Sequence, residues 1–357
     1  MQTLTQSFTI KQSPSAGPGD GLTRHPGKME SLILLDIETT GLSADMSAIF
    51  MIGCAYFENG HLRTVQWLAD SLELKGEQEV LMAFSRWFNE RLSSEDTLYL
   101  ITYNGHNFDL PFLKIRYSQC GLEFPLDYSS IQDALDTPNP QIRDFYRELL
   151  PLKPLWPTAN MKLKSMSQWL GYHYSNAPEG RRLIKTYHEY IKTKDSEILN
   201  LLFLHNADDL RALCTLLPLY NYLLFFHGAY TIASANISDG STLYLRLKPE
   251  NYLPAPVNYA AFDSRLSVTA SEILLQTQIH PQGLRYYYTD IKNYVYLPEE
   301  DYALHKSMTA YIDKAHWQKA RLENCYTWFS PDDTFLRQTS RQKEYVQMIF
   351  RLFGFLR

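Results

Sequence analysis

Four carboxylates and one imidazole carry the chemistry this sequence offers. Asp36 and Glu38 lie two residues apart in Asp36-Ile37-Glu38-Thr39-Thr40-Gly41-Leu42, directly after the apolar run Leu32-Ile33-Leu34-Leu35. An extended strand sends alternate side chains to one face, so the two acids are expected side by side. Adjacent carboxylates repel unless a cation lies between them, and a divalent metal is the simplest remedy. A D-x-E pair alone equally describes two solvated acids on an edge strand. Asp109 ends the segment Tyr103-Asn104-Gly105-His106-Asn107-Phe108-Asp109, where Asn-Gly makes a tight turn and a helix follows. An acid there is also what a helix N-terminus favours. His205 and Asp209, in His205-Asn206-Ala207-Asp208-Asp209, are four apart and share one helical face. Asp208 is turned about 100° away, which makes Asp209 the better partner for His205. By itself this last segment also reads as a solvated helix surface.

The elements that must position these groups follow from periodicity and turn signals. Ala48–Phe57 and His61–Leu68 read as strands joined at Asn59-Gly60, a strong hairpin signal. Gln78–Leu92 has helical apolar spacing, Thr97–Tyr103 reads as a strand, and Leu110–Gln119 as a short helix. Helical pieces between Ile142 and Leu170 are broken by Pro151, Pro154 and Pro157, and Ser196–Leu217 is a long helix. Three meandering strands followed by alternating helix and strand describe an α/β chain with an RNase H-like mixed sheet, three antiparallel strands and then parallel ones, flanked by helices. Beyond Ala233 the texture changes to short strands over 242–247, 265–270, 284–289 and 294–297. Pro298-Glu299-Glu300-Asp301 looks like a helix start, with helical stretches continuing through Tyr311 and over Lys314–Glu323. The expected division is a flexible lead-in over 1–29, an RNase H-like domain over 30–232 and a smaller α+β domain over 233–357.

Composition narrows the setting. The chain has 357 residues, 45% of them hydrophobic, enough for a sizeable core, and a formal net charge of −5. It is not broadly basic, so any phosphate-binding surface must be local. Cys54, Cys120, Cys214 and Cys325 form no C-x-x-C pair, which argues against a zinc ribbon or a thioredoxin-type site and suits free thiols in a reducing cytoplasm. Residues 1–28 lack the apolar core of a signal peptide. Pro218, Asn221 and His227 interrupt the apolar stretch Leu213–Tyr230, which therefore reads as a buried helix rather than a membrane span.

Taken in order, D-x-E, then Asn104, Phe108 and Asp109, then His205 ahead of Asp209, the pattern resembles the DEDD exonuclease superfamily. The histidine stands at the spacing typical of the tyrosine-bearing subclass, a mixture that departs from both main subclasses. One branch fits better: the chain looks like the YprB-type RNase H-like family of predicted exonucleases. The likeness runs through DIETTGLS, IFMIGCAYF, TYNGHNFDLPFL, LKSMSQWLG, KTYHEYIKTKD and HNADDLRAL, and so covers roughly residues 30–220. The segments NYVYLPEED and HKSMTAYIDKAHW are similar to an accessory region in some members, whose role the resemblance does not imply.

The resemblance implies hydrolysis of DNA or RNA from the 3′ end with two Mg²⁺ or Mn²⁺ ions. It places Asp36 between both ions, Glu38 and Asp209 on one, Asp109 on the other through water, and His205 beside the attacking water. Thr39, Gly41 and Leu42 would then pack against the terminal nucleotide, with Asn104 and Phe108 completing the second motif. Lys162 and Lys164 are candidate phosphate contacts or simply solvated charge. Asp133 is either an outer carboxylate or structural. The imidazole's ordinary pKa near 6.5 suits a general base at neutral pH. Two other readings remain: a nuclease-fold protein that binds nucleic acid or a partner without cleaving, and a structure-specific endonuclease on the same fold.

Overall fold

The computed structural model describes residues 1–8, 29–94, 98–126, 140–269 and 272–356. They fall into two units, Met1–Leu150 with Thr158–Tyr220, and Pro151–Pro157 with Asn221–Arg357. In the first unit the elements are β1 (Gln2–Phe8), β2 (Leu32–Thr39), β3 (Ile49–Glu58), β4 (His61–Leu68), α1 (Leu74–Ser94), β5 (Tyr99–Thr102), α2 (Asp109–Gln119), β6 (Gln141–Asp144), α3 (Phe145–Leu149), α4 (Leu163–Trp169), α5 (Arg181–Thr193) and α6 (Ser196–Leu216).

One six-stranded sheet runs in the order β1-β4-β3-β2-β5-β6. The first four strands are antiparallel, and β5 and β6 lie parallel to β2. This is the expected RNase H-like mixed sheet with two strands more than the sequence showed: β1 at one edge, and β6 at the other, where the helical reading from Ile142 is corrected for its first residues. Asn59 and Gly60 both take positive φ (51° and 75°), which sets the β3–β4 hairpin with a twist that matches its strands. The lead-in expected over 1–29 is corrected for its first residues. Gln2–Phe8 pair with β4 from Gln2↔Leu68 to Phe8↔Leu62, because the otherwise open edge of β4 offers unpaired backbone groups. Leu4 adds apolar contact to the cluster beneath α5 and α6.

The strand period decides where the acids go. Ile33, Leu35 and Ile37 pack with Val80, Leu81, Phe84 and Phe88 of α1 and Leu110, Leu113 and Tyr117 of α2. On the opposite side, Phe50, Met51 and Leu68 pack with Leu183, Tyr187 and Tyr190 of α5 and Leu202 and Phe203 of α6. Asp36 and Glu38 are out of phase with Leu35 and Ile37, so they face α6.

The second unit takes in α7 (Tyr220–Phe226) from Asn221 onward, so the boundary lies near 220 rather than 233, and Pro151–Pro157 belongs to it as well. Strands β7 (Tyr230–Ser238), β8 (Thr242–Pro249), β9 (Val257–Ala261), β10 (Ser264–Val268) and β11 (Ile273–Gln278) form a sheet in the order β7-β8-β11-β10-β9. Two small sheets follow, from β12 (Leu284–Tyr287), β13 (Tyr294–Leu297), β14 (Tyr302–His305), β15 (Gln318–Lys319) and β16 (Tyr326–Phe329), before α8 (Asp333–Arg337) and α9 (Thr339–Leu352). The helical reading of 298–323 is overturned. Asp301 turns a hairpin with φ of 52°, and its carboxylate accepts hydrogen bonds from the Tyr296 and Tyr326 hydroxyls, both at 2.6 Å, instead of capping a helix. β14 then pairs with β13, short 3₁₀ turns follow, and β15 pairs with β13 in turn. Among the described residues, no helix is long and apolar enough to cross a membrane.

Candidate metal centre

Three elements of the first unit bring the carboxylates together. The end of β2 carries Asp36 and Glu38, the first residue of α2 is Asp109, and the middle of α6 carries His205 and Asp209. The His205 Nε2 lies 3.2 Å from Glu38 Oε1 and 3.4 Å from Asp209 Oδ2. Glu38, His205 and Asp209 offer ligand atoms all within 4.8 Å of one another.

The electrostatics show how closely the others crowd this group. Asp36 holds its proton well above the usual carboxylate range, first because it is buried and then because Glu38, Asp209 and Asp109 repel its charge. Asp109 rises to about 7, chiefly from burial, although its own backbone N–H and that of Ile37 stabilise the anion. Asp209 also rises to about 7 through burial, against the pull of His205. For His205, burial opposes the charged form. The Glu38 hydrogen bond and charge, with Asp209 behind them, outweigh it and lift the pKa to about 9. At neutral pH an imidazolium bridges Glu38 and Asp209, in the position where the acids call for a cation.

Sequence reasoning missed the group that holds Asp36. Asn206 Nδ2 donates to Asp36 Oδ2 at 2.7 Å, and its Oδ1 accepts from Gln66 Nε2 at 2.9 Å. The same Gln66 nitrogen donates to the Phe203 carbonyl at 2.8 Å. Asp36, Gly53 and Gln66 are cross-strand neighbours on β2, β3 and β4, and Asn206 fills the space above Gly53. A Cβ at Gly53 would lie 1.8 Å from Asn206 Oδ1. A lone glycine inside the apolar run Ile49–Phe57 was the available signal, since glycine in a strand interior marks a close approach. Gly53→Ala is expected to cost at least about 1–3 kcal/mol, because Asn206 is fully buried and held at both ends. A thermal melt that leaves this variant level with wild type would contradict the packing.

Asp208 does face elsewhere. It is buried, accepts from the Tyr172 hydroxyl at 2.8 Å and the Ser175 N–H at 2.9 Å, bonds the Ser175 hydroxyl and pairs with Arg211. A pocket of about 340 Å³ opens beside the acids, lined among others by Asp36, His205, Asp209, Tyr103, Lys162 and Lys164. The Tyr103 hydroxyl donates to the Met161 carbonyl at 2.6 Å, which ties the lysine-bearing segment to the end of β5. Lys164 pairs with the exposed Glu179.

The remaining sequence candidates lie outside that lining. Asn104 takes the positive φ (66°) of its turn, and its Oδ1 accepts from Asn107 Nδ2 at 2.7 Å. Phe108 packs on Phe112 and the α1–α2 core. Asp144 anchors that loop by accepting from the N–H groups of Asn104 and His106 at 2.9 and 3.0 Å. The Thr39 hydroxyl donates to the Gly41 carbonyl at 2.7 Å, and Leu42 is 89% exposed at the turn after β2. Asp133 lies outside the described residues.

The donor set is oxygen-rich with a single imidazole and no thiolate, which fits a divalent cation. A sequence model of the RNase H superfamily matches residues 33–221, more than half of the chain. This chain belongs to the RNase H superfamily. The match spans β2 through α6 and thus every residue of the acidic cluster in this RNase H superfamily member. No curated protein matches its sequence. Among solved structures, it is similar to a family B DNA polymerase from the hyperthermophilic archaeon Pyrobaculum calidifontis, at 12% identity and a TM-score of 0.45. That likeness covers 91% of this chain and 46% of the polymerase, so the RNase H superfamily chain spans about half the polymerase's length.

Proposed function

We propose that this protein is a metal-dependent 3′–5′ exonuclease of the DEDD type, with the YprB-type motif arrangement, acting on DNA or RNA. The observation that supports it most is the mutual crowding of Asp36, Glu38, Asp109 and Asp209, drawn from three separate elements, with His205 between Glu38 and Asp209. Two divalent cations held by these carboxylates would neutralise a phosphate's charge and supply a nucleophile at neutral pH.

The protein's own groups do the rest. Asn206 fixes Asp36 in one orientation, so that its oxygens meet the pocket without reorganising. His205 carries a proton only because Glu38 and Asp209 are charged. Once that charge is neutralised, the Nε2 pKa falls toward its ordinary value, and Nε2 can accept the proton of the attacking water. Lys162 and Lys164 contact substrate phosphates from the pocket wall. The exposed Leu42 packs against the terminal base.

The test uses end-labelled single- and double-stranded DNA and RNA with Mg²⁺ or Mn²⁺. Stepwise loss from the 3′ end is expected, and Asp209→Ala should lower the rate by three orders of magnitude or more, since such a group supplies several kcal/mol. Internal cuts would replace this reading with an endonuclease. Binding without turnover, unaffected by Asp209→Ala, would leave a non-catalytic binder.

A further inference from the structure

The adjacent acids Asp208 and Asp209 point to different sides of α6, and the first serves the second. Asp208 receives hydrogen bonds from Tyr172 and from both the N–H and the hydroxyl of Ser175. Arg211, one turn along the same helix, pairs with Asp208 and lies with its guanidinium carbon 4.6 Å from the Phe8 ring centre, so Asp208 is neutralised on the spot. The short loop after α4 is thereby fastened to α6 at two residues, Tyr172 and Ser175. Tyr174 lies between them. Its ring meets the Tyr172 ring edge-on at 5.0 Å and 88°, and Lys164 Nζ stands 5.3 Å from its centre. Fastened in this way, Tyr174 has little rotational choice.

Its hydroxyl is enclosed and meets no partner at full hydrogen-bonding distance and angle. Tyr174 and Asp209 line the same pocket, and Ser167 and the Asp209 carboxylate are the groups near enough to interact weakly with that hydroxyl. A buried hydroxyl left short of a full hydrogen bond costs stability, so its persistence beside a pocket acid calls for a reason. One oxygen of Asp209, Oδ2, lies 3.4 Å from His205 Nε2. A carboxylate turned to hold a cation would present its second oxygen to a donor, and Tyr174 is the donor in place.

We infer that Tyr174 is a positioning residue for Asp209: its hydroxyl completes a hydrogen bond to that carboxylate when the centre is loaded, and Asp208 acts through Tyr172 and Ser175 to aim it. This rests on the metal-centre reading above. It adds an outer ring of residues to that centre, and outer partners of this kind commonly govern metal affinity by about 10–100-fold.

The test is Mn²⁺ affinity, measured by calorimetric titration of the full chain without nucleic acid. Tyr174→Phe should weaken Mn²⁺ binding about tenfold, while its melting temperature without metal stays close to wild type, because the lost hydroxyl had no partner at full hydrogen-bonding geometry there. Tyr172→Phe removes one fastening and should weaken binding by a smaller factor. The double variant should be no weaker than Tyr174→Phe alone, since both act along one route. Mn²⁺ affinity of Tyr174→Phe within twofold of wild type overturns the inference, as does a double variant whose losses multiply. Wild type that binds no Mn²⁺ would instead remove the metal centre itself, a result separable from either of these.

Discussion

Asp36→Asn should do two opposite things: end phosphodiester hydrolysis and make the metal-free protein more heat-stable. Asp36 is the acid on which the most repulsion converges, from Glu38, Asp209 and Asp109 together. Asparagine keeps the shape and an oxygen that can accept from Asn206 Nδ2, so the link through Asn206 to Gln66 survives. What disappears is a buried acid that must either carry its charge against three others or take up a proton on folding. Relief of that cost is expected to add about 1–2 kcal/mol, or about 2–8 °C in melting temperature for a unit of this size, at neutral pH and above. The same substitution removes a cation ligand and should cost three orders of magnitude or more in rate. Thermal melts in EDTA and a 3′-end release assay read the two effects. A variant that loses activity and stability together would place Asp36 in the fold rather than in a strained site.

The second large effect is a stability that falls with pH in the metal-free state. Asp109 and Asp209 hold their protons up to about 7 when folded, against about 3.9 in an unfolded chain. Protonated, they favour the folded state. That contribution is complete below about pH 4 and is lost as pH rises through 7. His205 is raised to about 9 against about 6.5 unfolded, so its contribution is complete below about 6.5 and is lost as pH rises through 9. The metal-free melting temperature should therefore decline between pH 5 and pH 9. Saturating Mn²⁺ should remove most of the decline, because the cation stabilises the deprotonated acids and binds only the folded chain. The gap between melts with and without Mn²⁺ then widens with pH. A metal-free melting temperature that stays flat or rises over this range contradicts the crowding of the acids.

Much of this centre is legible in the sequence because it rests on short-range periodicity. The two-residue spacing of Asp36 and Glu38 places both opposite Leu35 and Ile37, and the four-residue spacing of His205 and Asp209 stacks them on α6. Both patterns are local, and tertiary packing only has to bring the strand and helix together. The support for Asp36 is different in kind. Gln66, Gly53 and Asn206 come from β4, β3 and α6; Gly53 marks a close approach, but nothing in the sequence says that Asn206 and Gln66 make it. The same holds for Tyr174, which is placed by the hydrogen bonds of its neighbours Tyr172 and Ser175 to Asp208, across more than thirty residues. β1 was hidden because a polar, alternating edge strand is defined by the neighbour it covers, here β4, and not by its own hydrophobicity. The misread helix over 298–323 shows the reverse failure. Pro-Glu-Glu-Asp has the composition of a helix start, yet the strand tyrosines Tyr296 and Tyr326 claim the Asp301 carboxylate first.

Calorimetric titration of Mn²⁺ into wild type and Asp36→Asn at pH 7, in two buffers of different ionisation enthalpy, tests the metal centre most directly. Two ions should bind wild type with release of protons from the carboxylates and His205, while the variant should bind more weakly by at least about tenfold. Absence of binding to wild type at millimolar Mn²⁺, or equal binding by both proteins without proton release, would show that these acids share space for some other reason.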